Sequence, residues 1–99
     1  FPVDSNFVTG RIDLVFRESG HWTIVDYKTD TVEADMVDSY AARYRLQGGI
    51  YALALSRAGL VPVNEVIFFF VRARAQSVLR IDEELLDETM RAVREALHR

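Results

Sequence analysis

A chain of 99 residues, 49% hydrophobic and 27% charged, has material for one compact core and little beyond it. The absence of cysteine excludes a disulfide framework, a thiol nucleophile and a cysteine-ligated zinc or iron–sulfur centre within these residues. Twelve basic against fifteen acidic residues give a net charge of −3. There is thus no general basic field for gripping a polyanion, and any nucleic-acid contact has to come from local residues.

From Phe7 to Arg17 the apolar residues Val8, Ile12, Leu14 and Phe16 alternate with Arg11, Asp13 and Arg17, the period-2 pattern of a strand. A four-residue turn over Glu18-Ser19-Gly20-His21 and a second strand from Trp22 to about Lys28 complete a hairpin. Thr29 to Ala34 reads as a polar connection. A helix is predicted from Asp35, as N-cap, to Ala58, with Gly59 ending it and Pro62 preventing its resumption. Its interior Gly48-Gly49 costs about 2 kcal/mol in propensity against alanines. That cost implies close packing on the sheet or an interrupted helix, and close packing is the preferred expectation. Val66 to Val71 is apolar on both faces, as for a central strand covered on each side. Ser77 to Ile81 gives a short strand, and Asp82 caps a last helix with Leu86, Met90, Val93 and Leu97 along one face. The order β-β-α-β-β-α describes one α/β domain over residues 1–99, a mixed sheet with flanking helices. No apolar run approaches the roughly 20 residues of a membrane helix, and no leader precedes Phe1. The expectation is a soluble cytoplasmic domain without a membrane partner, an internal piece of a larger protein.

The hairpin register carries the chemistry. With the loop at residues 18–21, Arg17 faces Trp22, Val15 faces Ile24 and Asp13 faces Asp26. Opposed Cβ atoms lie about 4.5–5.5 Å apart, where like charges destabilise the sheet. Mg²⁺ is the natural neutraliser, taking oxygen ligands at roughly 2.0–2.1 Å from one or two carboxylates, water and phosphate. Lys28 follows Asp26 on the same face, about 7 Å along the strand. From there an ammonium can orient or help deprotonate a nucleophilic water, or stabilise charge on a phosphate. The plainer alternative is that each aspartate is merely solvated; the facing pair with a lysine on the same face is what weighs against it.

On the predicted helix Tyr40, Tyr44, Gln47 and Tyr51 recur at spacings of four, three and four and form one polar stripe. Either they cap the edge of the core, with hydroxyls satisfied by backbone, or Gln47 and Tyr51 stand beside a substrate phosphate. Arg72, Arg74 and Arg80 read as a solvated rim more readily than as DNA contacts. His21 lies in the turn and His98 at a helix end, so neither is expected to bind metal.

Gly10-Arg11-Ile12-Asp13, then Asp26-Tyr27-Lys28-Thr29, then Tyr44-x-x-Gln47-x-x-x-Tyr51 resembles the nuclease signature of the RecB-like PD-(D/E)XK family, which includes RecB and AddA. The three motifs span residues 10 to 51. The resemblance implies a restriction-endonuclease-like core in which Asp13 and Asp26 bind Mg²⁺, replaceable by Mn²⁺, with help from the Tyr27 carbonyl. It further implies that Lys28 assists catalysis and that Gln47 and Tyr51 form an auxiliary motif at the substrate. By the same resemblance the parent is an ATP-dependent helicase–nuclease, an exonuclease acting on DNA in double-strand-break repair and recombination, and its further partner is a second subunit. The family's histidine ligand lies on a helix before the first strand, and nothing before Phe1 supplies it. The chain is therefore expected to be truncated at its N-terminus and weak as a nuclease by itself. No cysteine cluster is present, which points to the branch without an iron–sulfur centre. The competing expectations are a non-catalytic DNA-binding or subunit-docking module of the same fold and an unrelated α/β interaction domain. No G-x-x-x-x-G-K-[ST] phosphate loop occurs, so an ATP-driven motor would lie outside these residues.

Overall fold

A computed structural model describes residues 2–3, 6–7 and 12–98, with side chains from residue 12 onward. A small antiparallel pair, β1 (Pro2–Val3) and β2 (Asn6–Phe7), precedes the main sheet. The hairpin follows as β3 (Leu14–Glu18) and β4 (His21–Lys28). Val8, Gly10 and Arg11, which belong to the predicted first strand and its motif, lie outside the described residues. Asp13 falls just before β3, so the strand is shorter than its alternating pattern suggests.

The hairpin register is the expected one, with Val15 opposite Ile24 and Arg17 opposite Trp22. The loop differs. Glu18 pairs with His21, which leaves Ser19 and Gly20 as a two-residue turn, both at positive φ. Turns of that kind match the twist of the flanking strands. A four-residue loop and a two-residue loop with one added pair give the same register, so Asp13 still comes opposite Asp26, one step beyond the last ladder pair.

The predicted single helix is broken into a 3₁₀ turn (Ala34–Met36), α1 (Val37–Ala41), a second 3₁₀ turn (Ala42–Tyr44) and α2 (Arg45–Arg57). Asp35 sits inside the first turn, and Glu33 occupies the cap position without a side-chain hydrogen bond. The end is as anticipated: Gly59 N–H reaches the Ser56 carbonyl and Leu60 N–H reaches that of Leu55, the paired bonds that close a helix. The interruption lies at residues 42–44 and not at the glycines. Gly48 and Gly49 are places of close approach instead. A Cβ on Gly48 would lie 2.5 Å from Leu79 Cδ2 and 3.2 Å from Phe68 Cζ, and one on Gly49 would collide with Thr89 Oγ1. Gly48 thus packs on the sheet as expected, while Gly49 packs on the last helix.

Strands β5 (Val63–Phe70) and β6 (Ala75–Arg80) complete a mixed sheet of order β3-β4-β5-β6, with β4 and β5 parallel and the other neighbours antiparallel. Central β5 is less symmetrical than its composition predicts. Val66, Phe68 and Phe70 are fully buried towards the helices, whereas Ile67 and Phe69 on the other face are partly exposed. On that same face Leu14, Tyr27 and Val78 are about half exposed. The last helix, α3 (Glu83–Leu97), is capped by the Asp82 carboxylate, which accepts Leu85 N–H at 2.8 Å. Its buried stripe is Leu85, Thr89 and Val93, with Leu86 at the flank. This stripe is rotated from the predicted one because Thr89 can be buried: it is small enough to meet Gly49, and its hydroxyl donates to the Leu85 carbonyl at 2.7 Å. Ile24, Val66, Phe68 and Phe70 of the sheet form the core with Ala41, Tyr51, Ala52 and Leu55 of the helices.

Candidate metal and catalytic site

The C-terminal end of β4 carries Asp26 and Lys28 on the helix-covered face of the sheet, and Asp30 follows two residues beyond. A two-residue step along a strand is about 6.6 Å and four residues of helix advance about 6 Å. The helical stripe can therefore run against the strand rung by rung, and it does so in antiparallel sense. The Tyr51 hydroxyl interacts with Asp26, Gln47 Oε1 accepts Lys28 Nζ at 2.7 Å, and the hydroxyls of Tyr44 and Tyr40 both donate to Asp30 Oδ2, at 2.6 and 2.7 Å. The stripe's polarity is thus accounted for by carboxylates and a lysine, where a sequence reading also allowed backbone partners.

Asp26 is 4% exposed, and its Oδ2 lies 2.9 Å from Lys28 Nζ. The approach makes an ion pair by distance yet leaves that buried oxygen without an aligned hydrogen-bond donor. Burial pushes the Asp26 carboxyl above its ordinary range. Lys28 opposes that shift, while Asp13 adds to it through a hydrogen bond to the protonated form and through its charge. The two aspartates are therefore neighbours, as the register requires. Asp13 is exposed, and its Oδ2 accepts the backbone N–H of Tyr27 at 3.0 Å. A strand residue points its N–H and C=O to the same side, so the Tyr27 carbonyl lies on the edge where Asp13 sits. The Tyr27 ring lies on the opposite face, edge-on to Phe69.

Tyr51 is 5% exposed, and its hydroxyl is pushed up to about 12, by burial first and then by the charges of Asp26 and Asp13. Tyr44 is likewise pushed up to about 12, here chiefly by its hydrogen bond to Asp30. The same two tyrosine bonds hold Asp30 below the usual carboxylate range. Lys28 Nζ lies 3.9 Å from the centroid of the Tyr44 ring. The lysine is thus enclosed by Asp26, Gln47 and an aromatic face.

Asp30 is the residue that the sequence reading missed. It looked like part of a polar connection, although the alternation Asp26, Lys28, Asp30 continues the strand's period and could have flagged it. The three arginines of the supposed rim separate. Arg72 Nη1 donates to Thr31 Oγ1 at 3.1 Å, next to Asp30, while Arg80 pairs in register with Glu65 towards the other end of β5. His21 closes the hairpin turn, away from the carboxylates, and His98 caps the end of α3.

The model of the PD-(D/E)XK nuclease superfamily matches residues 2–99, and the chain belongs to that superfamily. Its mixed four-stranded sheet with helices agrees with the restriction-endonuclease-like fold. Among its relatives, the AddA component of the ATP-dependent helicase/nuclease of Bacillus thuringiensis (strain Al Hakam) is 30% identical over 87 residues, covering 81% of this chain and 7% of the relative. The protein of the same name from Staphylococcus carnosus (strain TM300) is 31% identical over 74 residues, covering 68% of this chain and 6% of the relative. The chain thus spans less than a tenth of the length of these relatives.

PD-(D/E)XK nucleases generally use divalent metals. The donors present suit a hard cation: two adjacent carboxylates, one of them buried with an oxygen lacking an aligned donor, beside a backbone carbonyl. Among the described residues, no group of three or more histidine, cysteine, aspartate or glutamate side chains could hold a metal ion. A cation here would depend on two carboxylates, the carbonyl and water. No helix of the described residues is long and apolar enough to cross a membrane.

Proposed function

We propose that residues 1–99 form the nuclease domain of a larger ATP-dependent helicase–nuclease, hydrolysing DNA phosphodiester bonds with Mg²⁺, or Mn²⁺ in its place. In this reading it acts as a cytoplasmic exonuclease in double-strand-break repair and recombination. Its partners are DNA, the rest of the parent protein and a second subunit. The observation that supports it best is the buried Asp26 carboxylate, crowded by Asp13 and reached by Lys28. A protein that needed only stability would not place like charges together in a core.

Asp13, Asp26 and the Tyr27 carbonyl would hold the ion. When bound, Mg²⁺ supplies positive charge that polarises water and phosphate. Lys28 holds an ammonium where negative charge builds on the scissile phosphate, or orients the attacking water. Gln47 fixes the direction of that ammonium by accepting one of its protons. Tyr51, neutral throughout the physiological range, supports Asp26 from the core side.

Calorimetric titration with Mn²⁺ tests the site: Asp13→Asn and Asp26→Asn should each abolish or greatly weaken binding while the fold persists. Unchanged affinity in both variants would rule the site out. Among the described residues no third acidic or histidine side chain joins the pair, which favours a second reading, a DNA-binding or docking module of the same fold. Metal binding accompanied by Lys28-dependent cleavage of linear duplex DNA selects the enzyme, and metal binding without it selects the module.

A further inference from the structure

Two tyrosine hydroxyls converge on a single carboxylate oxygen, Asp30 Oδ2, at 2.6 and 2.7 Å. Asp30 thereby ties the start of the helical segment to the end of β4. Tyr44 is additionally wedged against Phe68 and Phe70, with ring centroids 5.7 and 6.5 Å away, and Tyr40 stands edge-on to Phe70 at 5.8 Å. The Arg43 guanidinium stacks on the outer side of Tyr40, 3.8 Å from its ring centroid. The Tyr44 ring is therefore fixed on one side by packing and at its hydroxyl by charge. Its face is turned to Lys28 Nζ at 3.9 Å.

We infer that Asp30 and Tyr44 are positioning residues for Lys28, forming an anion-anchored aromatic platform that keeps the ammonium in place when Asp26 is engaged by a cation. The inference rests on the nuclease reading above. In the metal-free protein Lys28 is held by Asp26, Gln47 and the ring. A divalent cation on Asp26 takes up the carboxylate charge and repels a neighbouring ammonium, so the attraction of Asp26 for Lys28 falls when catalysis requires the lysine to stay. The amide oxygen of Gln47 and the ring face remain. A phenol that donates its proton towards a carboxylate is richer in electrons than a free phenol, and its face attracts a cation more strongly. This explains why a tyrosine bonded to Asp30 serves here better than a phenylalanine. Asp30 touches neither the phosphate nor the ion in this arrangement; it acts through Tyr44.

The test combines a spectroscopic and a kinetic readout. A proton near the face of an aromatic ring is shifted upfield, so the ε-methylene protons of Lys28 should resonate upfield of those of exposed lysines in the metal-free chain. Tyr44→Leu should abolish that displacement, Asp30→Ala should reduce it, and Tyr44→Phe and Asp30→Asn should retain part of it. In a nuclease-competent polypeptide carrying these residues, with Mn²⁺ and linear duplex DNA, Asp30→Ala and Tyr44→Leu should lower kcat about 10-fold, within the roughly 100-fold that misplacement of a reacting group can cost. KM and Mn²⁺ affinity should stay within about two-fold of wild type, a margin worth only some 0.4 kcal/mol. Tyr44→Phe and Asp30→Asn should recover part of the rate. An unmoved Lys28 signal and unchanged kcat in Asp30→Ala, with Lys28→Ala inactive, would overturn the inference and leave the nuclease reading intact. Loss of Mn²⁺ binding in Asp30→Ala would overturn it too, by making Asp30 a ligand. Full turnover by Lys28→Ala would instead remove the nuclease reading on which it rests.

Discussion

Helix α2 has two sides that solve opposite problems. Towards α3 and the outer strands it presents Gly48 and Gly49, and there the buried threonine is provided for locally: Thr89 satisfies its hydroxyl within its own helix, and the glycines leave room for it. Towards β4 it presents Gln47 and Tyr51 to an ion pair and a carboxylate buried without a full set of donors. One side is arranged for closeness and the other keeps charge in the interior at a cost in stability. A single helix can do both because four residues along its axis nearly match two along a strand, so its polar stripe stays in step with the charged residues of β4.

The sharpest way to separate the two sides is Lys28→Ala. In a nuclease-competent protein it should reduce DNA cleavage by at least about 100-fold, the usual worth of a group that moves or stabilises charge in a transition state, with Mn²⁺ affinity retained by calorimetry. Wild-type turnover would show that the polar side carries no chemistry. On the glycine side, Gly49→Ala should lower unfolding free energy by about 1–3 kcal/mol through overpacking against Thr89, measured by urea denaturation, without altering Mn²⁺ affinity. A neutral result would mean that the α2–α3 seam yields easily. Asp26→Asn should move the other way, raising the melting temperature of the metal-free chain by less than Gly49→Ala lowers it. Burial pushes the Asp26 carboxyl up, so its ionised form at neutral pH opposes folding and asparagine removes the charge. A lowered melting temperature would show that the ion pair with Lys28 outweighs the burial of charge.

The smallest effect is a titration. Tyr44 and Tyr51 should ionise at about 12, whereas an unfolded tyrosine ionises near 10, and ultraviolet difference spectra resolve the two. Because the folded chain holds these protons more tightly than the unfolded one, their contribution is intact below pH 10 and stability declines as pH rises from 10 towards 12. If both tyrosines titrate near 10, the burial of Tyr51 and the grip of Asp30 on Tyr44 are weaker than the geometry indicates.

How much of this could be read from residues alone depends on the range of the interactions. The Asp13–Asp26 juxtaposition was legible because hairpin register is set by a turn and a period of two, and an error in loop length that adds one pair does not disturb it. The polar stripe from Tyr40 to Tyr51 was legible as a stripe, since helical spacing is local. Its partners were not all legible: Asp30 lies in a segment with no periodicity of its own, and nothing within a few residues announces that two tyrosines ten and fourteen positions on will bond to it. The 3₁₀ turn at residues 42–44 was hidden for a related reason. It lies between Tyr40 and Tyr44, whose hydroxyls meet at one oxygen, and that tertiary demand leaves no mark in the propensities of Ala42, Arg43 and Tyr44. Asp26 was expected on a solvated hairpin face; only the parity with which β4 meets β5 places it beneath the helices.

The two-residue turn at Ser19 and Gly20 offers a practical handle. It is exposed, and it sits at the start of β4, about 17 Å along the strand from Asp26. The chain contains no cysteine, so Ser19→Cys would introduce one thiol of nearly the same size at a residue that already tolerates positive φ. A fluorophore attached there would report the tumbling and docking of the molecule from the end opposite its carboxylates, without competing labels and without crowding the bound polymer.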